Sequence, residues 1–208
     1  YLLEIGRIAF DKDLPFPGVR AFWWPRFERI ANWFITYEKN NRSKGHKTIA
    51  TEVKGSLTIL GNAGDFILTA IADRIDTDNS KALTIIDYKT GSVPTTKQVK
   101  TGLTPQLSLE AAIAKSGGFD NIKAAPLSQL VYLHLSGGRV SGKANLLNLD
   151  SNEVAGEALA QLSSLVARFD DVKTPYLSSR KPMFQDRPSY YDHLARVKEW
   201  RGQTEDEE

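Results

Sequence analysis

The segment Leu83–Gly91, LTIIDYKTG, constrains the fold more than any other part of the chain. Its first four residues are apolar or β-branched and a glycine ends it, which is typical of a wholly buried strand. Asp87 and Lys89 nevertheless stand two positions apart near its end. Because side chains alternate along a strand, these two charges share one face with Leu83 and Ile85.

Two charges on the buried face of a strand need a reason. A buried charge is costly, and even a buried ion pair rarely recovers the free energy lost on leaving water. Charges at the end of a hydrophobic strand, before a glycine loop, therefore indicate a site. Spacing alone leaves open the other interpretation, a structural ion-pair network at the end of a strand.

The preceding strand supplies acidic partners. The segment AIADRID places Asp73 and Asp76 near its end, and the turn Thr77–Lys81 brings that strand beside Asp87. Two neighbouring carboxylates repel each other unless a cation lies between them, and oxygen ligands without His or Cys suit Mg²⁺ or Mn²⁺. A lysine beside such a cation can orient water and neutralise charge on a phosphoryl group. The pattern predicts phosphodiester hydrolysis.

The order of predicted elements is a helix, three strands, a helix, two strands and a helix, which favours one α/β domain over residues 1–208. The first helix is predicted to begin at Pro25, and the last long helix to be capped by Ser151 or Asn152. A short helix is predicted at YYDHLARVKEW, and residues 202–208 are expected to be a disordered acidic tail. The segment GGRVSGKA is interpreted as a hairpin turn and not as a nucleotide-binding loop, because an alanine follows its lysine.

Composition excludes several classes of function. Cysteine is absent, which excludes disulfides, thiolate chemistry and cysteine-ligated metal in this segment. No apolar run approaches the ~20 residues of a membrane span. The net charge is +2, but the terminal EDEE carries four acidic residues, so the first 204 residues have a net charge of +6. The body of the chain is compatible with a polyanionic partner. A start at Tyr1 suggests a piece of a longer, cytoplasmic protein.

Several motifs together resemble a known family. ADRID, IIDYKTG and PQLSLEAAI are similar to the motifs of the RecB-type branch of the PD-(D/E)XK nuclease superfamily. More narrowly, FWWPRFERIANWF, QLVYLHLSGG and YDHLARVKEW resemble the C-terminal nuclease domain of AddB proteins of the alphaproteobacterial kind. AddB proteins are subunits of bacterial AddAB helicase–nucleases. The resemblance implies a restriction-endonuclease-like α/β core with a central mixed sheet flanked by helices.

The resemblance assigns roles residue by residue. Asp73 and Asp87 match the metal-ligand carboxylates, and the main-chain carbonyl of Tyr88 matches a further ligand. Lys89 matches the catalytic lysine. Gln106 matches a glutamine that helps to hold substrate or water at the site.

The sequence departs from the family pattern twice. The position four residues after Gln106 is usually aromatic, but here it is Glu110, which leaves open how DNA stacks near Gln106. Many AddB proteins hold an iron–sulfur cluster through four cysteines, and a chain without cysteine holds no such cluster.

The function implied is that of a Mg²⁺-dependent deoxyribonuclease, an exonuclease that cuts DNA strands unwound with an AddA-type helicase–nuclease partner. Such complexes act in double-strand-break repair and recombination, in the cytoplasm at the nucleoid. No nucleotide site is expected in this segment. Two alternatives stay open, namely a catalytically silent DNA-binding or scaffold module of the same fold, and a stand-alone RecB-like repair nuclease.

Other polar residues are weaker candidates, each with a structural alternative. An extra acidic ligand is sought among Asp76, Glu28, Glu38 and Glu52, although Asp76 is equally suited to pairing with Arg74 or a turn lysine. Lys97 and Lys100, in the loop after Gly91, are candidates for contacts with DNA phosphates.

Overall fold

A computed structural model describes residues 1–14 and 16–176 of the chain. Its strands form one five-stranded sheet in the order of the sequence. They are β1 (Lys47–Ile59), β2 (Phe66–Thr77), β3 (Leu83–Lys89), β4 (Leu127–His134) and β5 (Lys143–Leu146). Neighbouring strands are antiparallel except β3 and β4, which are parallel. The predicted position of the Asp73 strand beside the Asp87 strand and the hairpin at GGRVSGKA are therefore confirmed. The strands β1, β2 and β3 form an antiparallel meander.

Helices cover both faces of this sheet. They are α1 (Leu2–Asp13), α2 (Pro17–Ser43), α3 (Thr96–Lys100), α4 (Gln106–Ser116) and α5 (Ser151–Asp170). A parallel strand pair needs a crossover connection, and α3 with α4 provides it between β3 and β4. The α4 helix ends at Gly117, whose φ of 76° is the left-handed conformation that glycine adopts most readily.

The core lies in two layers, one on each side of β3. Leu83 and Ile85 pack in the larger layer, with α4 and α5. Ile86 packs in the smaller layer, against Trp33 and Phe34 of α2. The alternation predicted for β3 is thus confirmed, and so is the fold class, a mixed sheet flanked by helices.

Some predicted boundaries were wrong. Pro25 lies inside α2, and Pro17 occupies its first turn. The cap of α5 is Asp150, whose carboxylate accepts the N–H groups of Asn152 and Glu153 at 2.9 and 3.0 Å. Helices α1 and α3 were not predicted, because α1 precedes the clearest apolar pattern and α3 is a single short turn. The helix predicted at YYDHLARVKEW and the acidic tail lie outside the described residues.

The strand β2 changes face along its length. Leu68, Ala70 and Ala72 contribute to the larger core layer, and so does Ile75, three residues further on. A regular strand would have brought Ala72 and Arg74 to the same face. Beside this change, on the edge strand β1, Glu52 adopts a φ of 48°. The irregularity falls at Asp73 and sets the direction of the residues that follow.

No helix within the described residues is both long enough and apolar enough to cross a bilayer.

Candidate active site

The site begins where β2 and β3 separate. Their last paired residues are Arg74 and Ile86, and continuing that register would place Asp73 opposite Asp87. Instead the strands part, and Asp73 Oδ2 accepts a hydrogen bond from the Tyr88 N–H at 2.9 Å. The Asp73 carboxylate is therefore held beside the segment that carries Asp87 and Lys89.

Asp87 and Lys89 form an ion pair with an incomplete set of hydrogen bonds. Asp87 is only 2% exposed. Lys89 Nζ donates to Asp87 Oδ1 at 3.0 Å. It also lies 2.8 Å from Oδ2, but not in hydrogen-bond geometry, so Oδ2 is buried without a hydrogen-bond partner among the described residues. The ammonium group sits 5.9 Å from the ring centroid of Tyr132 on β4.

Gln106, the first residue of α4, makes hydrogen bonds to both Asp87 and Lys89. Its Nε2 donates to Asp87 Oδ1 at 2.8 Å, and its Oε1 accepts from Lys89 Nζ at 3.2 Å. The structure thus brings together four of the residues singled out in the sequence, namely Asp73, Asp87, Lys89 and Gln106.

A fifth group belongs to this cluster and was missed as a site residue. Glu110, one turn along α4, is 3% exposed and accepts from Gln106 Nε2 at 3.1 Å. Its Oε2 is buried without a hydrogen-bond partner among the described residues. The sequence carried a signal for it, since Glu110 is the one charge within the run LSLEAAIA, whose other residues are apolar or serine.

Burial governs the acid–base properties of the cluster. It raises the pKa of Glu110 to about 7, while the hydrogen bond from Gln106 opposes the rise and the charges of Asp87 and Asp73 reinforce it. Burial also raises the pKa of Asp87, against the hydrogen bond and the charge of Lys89. A cation bound beside these acidic groups would favour their ionised forms and lower their pKa values.

The donor set fits a hard divalent cation such as Mg²⁺. Mg²⁺ is usually held by one or two carboxylates, with water and substrate phosphate completing its shell. Asp73 and Asp87 supply two carboxylates, and Asp87 Oδ2 is a buried anionic oxygen whose contact within the described residues is the ion pair with Lys89, not a hydrogen bond. Within residues 1–14 and 16–176 no group of three or more His, Asp or Glu side chains is spaced to hold a metal. A metal held by these two acids would therefore need backbone carbonyls, water or substrate phosphate to complete its shell.

A second charged network occupies the opposite face of the sheet. Arg74, 3% exposed, donates to both oxygens of Asp76 at 2.6 and 2.7 Å and pairs with Glu38 of α2. Asn41 donates to Asp76 Oδ2 at 3.0 Å. Although burial alone would lower the pKa of Arg74, its hydrogen bonds to Asp76 and Glu38 raise it. Asp76 and Glu38 thus hold α2 on the sheet, and the expectation that either ligates metal is corrected.

No hydrogen bond or ion pair within the described residues joins the remaining weaker candidates to the cluster, although Glu52 stands opposite Asp73 in the register of β1 and β2. Glu52 is exposed on β1, between residues paired with Arg74 and Ala72, and no contact in the described part of the chain joins its carboxylate to Asp73. Glu28 lies on α2. Lys97 and Lys100 are exposed on α3, and among the described contacts none links them to Asp87.

The Arg74 network predicts a large loss of stability on truncation. Arg74→Met leaves the Asp76 carboxylate buried without its cation, so we expect the free energy of unfolding to fall by about 3–5 kcal/mol. Urea denaturation measures this. The matched control is Arg42→Met, because Arg42 is 76% exposed and lies 3.7 Å from the same Glu38. Equal effects of the two substitutions would contradict a structural role for Arg74.

Glu110 predicts a pH-dependent stability. Its pKa is raised from 4.5 to about 7 in the fold, so its contribution to stability is full below pH 4.5 and is lost as the pH rises through 7. Glu110→Gln does not titrate, and relative to wild type it should gain roughly 2–3 kcal/mol between pH 5 and pH 8. Urea denaturation with chelator at both pH values tests this, with the exposed Glu157→Gln as control. An equal difference at both pH values would refute it.

Comparisons with known proteins place this geometry in a family. The family model of the PD-(D/E)XK nuclease superfamily matches residues 7–187, which include every residue of the cluster. Members of this superfamily are typically nucleases that use a divalent metal. The crystal structure of SSO0001 aligns with 70% of this chain and 69% of its own, at a TM-score of 0.33 and 13% identity. That similarity is too low to inform fold or function.

Curated relatives come from Rickettsia. An uncharacterized protein of Rickettsia typhi, RT0391, is 35% identical over 138 residues, which are 64% of this chain and 16% of the relative. An uncharacterized protein of Rickettsia felis is 39% identical over 123 residues, 59% of this chain and 14% of the relative. The match thus spans only about a sixth or a seventh of the length of these relatives. On the extent of the family match, this chain belongs to the PD-(D/E)XK nuclease superfamily.

Proposed function

We propose that this chain is the metal-dependent deoxyribonuclease domain of an AddB-type subunit, which cuts DNA strands unwound by an AddAB-type helicase–nuclease in double-strand-break repair. The nuclease proposal rests on one observation, the hydrogen bond that the Tyr88 N–H donates to Asp73. It sets a second carboxylate beside the Asp87–Lys89 pair, where two acids and one lysine can act on the same phosphate.

The side chains have distinct parts in this chemistry. Asp73 and Asp87, with the carbonyl of Tyr88, would hold Mg²⁺ or Mn²⁺, which supplies neutralisation of the phosphate and of the leaving 3′ oxygen. Lys89 positions the attacking water and offers a hydrogen bond to a phosphate oxygen. The reaction adds one water across a P–O bond, so that a new P–O bond forms as the bond to the 3′ oxygen breaks. Gln106 holds Lys89 in place.

Basic groups on the same face of the sheet support a nucleic-acid substrate. Lys89 pairs with His134 across β3 and β4, and His134 pairs with Lys143 across β4 and β5. Leu133 and Ala144 pack towards α2, so by alternation their neighbours His134 and Lys143 face the Asp87 side. With strands about 4.8 Å apart, the three groups form a row about 10 Å long.

This row, called the transverse basic row, suits a polyanionic strand that carries one phosphate per nucleotide. It would guide a single strand from Lys89 across β4 and β5. Lys97 and Lys100, exposed on α3 in the loop after Gly91, are proposed as further phosphate contacts.

The narrower assignment rests on two supports. The motifs that resemble those of AddB proteins are spread along nearly the whole sequence. The curated relatives are about six to seven times longer than the segment that matches them, as expected for a nuclease domain within a large subunit. An AddA-type partner is proposed on the same grounds.

Removal of either charge of the central pair should abolish cleavage. With labelled single-stranded DNA and Mg²⁺, we expect Asp87→Ala and Lys89→Ala each to lower kcat by about 10²–10³-fold or more. Asp87→Ala removes a ligand that would hold the metal, and Lys89→Ala removes the cation that stabilises charge on the phosphate. Matched controls are Asp65→Ala, in the exposed turn after β1, and Lys81→Ala, at the other end of β3. Both should keep wild-type activity.

The outcomes separate the proposal from its rivals. Wild-type protein that binds DNA without cutting it would favour a silent scaffold module. Cleavage of any duplex without an AddA-type partner would favour a stand-alone repair nuclease. Activity that survives Asp87→Ala would refute the site itself.

Substitutions in the transverse basic row should change the affinity for DNA and leave the rate of cleavage of bound DNA nearly unchanged. Combined His134→Ala and Lys143→Ala should raise KM for single-stranded DNA several-fold at low salt with kcat little changed, and should reduce the slope of log affinity against log salt by about 1. Lys123→Ala is the matched control, because Lys123 is exposed and precedes the opposite end of β4. An unchanged salt slope in the double variant would place the DNA elsewhere.

A further inference from the structure

The Gln106 carboxamide can satisfy its surroundings in only one orientation. Its Nε2 faces two carboxylate oxygens, Asp87 Oδ1 at 2.8 Å and Glu110 Oε1 at 3.1 Å, and its Oε1 faces Lys89 Nζ at 3.2 Å. An amide has two N–H donors and one carbonyl acceptor, so each group meets its complement. A flipped amide would set its oxygen against two carboxylates and its N–H groups against an ammonium.

Packing does not account for Glu110. It is 3% exposed, and its neighbours on α4 include Leu107 and Ala111, both fully buried. Its Oε2 has no hydrogen-bond partner among the described residues. Burying a carboxyl oxygen without a partner costs free energy, and an apolar side chain would fill this space without that cost. The contact that the carboxyl group does make is the hydrogen bond from Gln106.

The network has a direct effect on Lys89. A lysine ammonium has three N–H donors. Hydrogen bonds to Asp87 Oδ1 and Gln106 Oε1 occupy two of them. The third makes no hydrogen bond within the described residues, although Nζ lies 2.8 Å from Asp87 Oδ2, and it can be donated to a phosphate oxygen or a water. If the Gln106 amide could rotate freely, its N–H group would spend part of the time against the ammonium and displace it from Asp87.

We propose that Glu110 is a positioning residue of the nuclease site. By accepting the second N–H of Gln106, it turns the Gln106 carbonyl to Lys89 and so fixes the direction of the free lysine hydrogen. It touches neither metal nor DNA and acts through Gln106 alone. The role rests on the proposed function, the hydrolysis of a phosphodiester by Asp73, Asp87 and Lys89.

Two substitutions of Glu110 distinguish the loss of its hydrogen-bond acceptor from a change in side-chain volume. Glu110→Gln keeps an oxygen that can accept from Gln106, so kcat should stay within about threefold of wild type. Glu110→Leu removes the acceptor at similar volume, so kcat on labelled single-stranded DNA with Mg²⁺ should fall about 10- to 100-fold with KM within about twofold, as small misplacements of catalytic groups do. Glu110→Met serves if Glu110→Leu does not fold, which thermal melting reveals.

A double-mutant cycle tests whether Glu110 works through Gln106. Gln106→Leu should lose about as much kcat as Glu110→Leu, and the double variant should lose no more than Gln106→Leu alone, since residues that act as a unit are not additive. Additive losses, or wild-type kcat in Glu110→Leu, would overturn the proposal.

A readout without turnover keeps this test independent of the nuclease assignment. In metal-free protein, the side-chain NH₂ resonances of Gln106 should shift and broaden in Glu110→Leu and stay close to wild type in Glu110→Gln, as measured by NMR. If wild type does not cut DNA, the proposed function fails while the spectra still decide the orientation of Gln106. Identical spectra in all three proteins would refute the positioning role.

Discussion

The hydrogen bond from the Tyr88 N–H to Asp73 is the contact on which the site depends. Where β2 and β3 part, a backbone donor of β3 would otherwise lose its partner, and a buried unpaired N–H is costly. The carboxylate of Asp73 replaces the missing strand. The same separation that opens space beside Asp87 therefore fixes the second acid at the edge of that space. A ladder that ran on in regular pairing would have closed the gap and left no room for a phosphate.

The two faces of β3 show how the same types of residue serve support and chemistry. On the α2 face, both oxygens of Asp76 accept hydrogen bonds, and the buried Arg74 is matched by two acids. On the α4 face, Glu110 Oε2 is buried without a hydrogen-bond partner among the described residues, and Asp87 Oδ2 has only its ion-pair contact with Lys89. Full pairing is typical of a structural network, whereas unpaired buried oxygens are retained where a ligand is expected. The contrast distinguishes the acids better than their sequence positions do.

Much of this arrangement could be predicted from the sequence, because strand alternation and the order of elements are local properties. The shared face of Asp87 and Lys89 follows from their spacing. The different surroundings of Asp73 and Asp76 do not follow from their spacing. They depend on the irregularity at which β2 changes face, and no residue of ADRID indicates that irregularity. Glu110 was noted only as a departure from a family pattern, because its burial depends on how α4 packs in the fold and not on its neighbours in sequence. Pro25 was misplaced since a proline within a long, well-packed helix is tolerated when neighbouring contacts compensate for the lost hydrogen bond.

The parallel pairing of β3 with β4 has a consequence for the order in which the chain folds. The strands β1, β2 and β3 are joined by short turns and pair locally, whereas β3 meets β4 only after the crossover through α3 and α4 has closed. Local pairing is fast and pairing across a long loop is slow. The acids of the meander thus come together early, and α4, which carries Gln106, docks late. A nascent or partly folded polypeptide would hold Asp73 and Asp87 in place before Gln106 reaches Lys89, so that the alignment of the lysine depends on closure of the crossover.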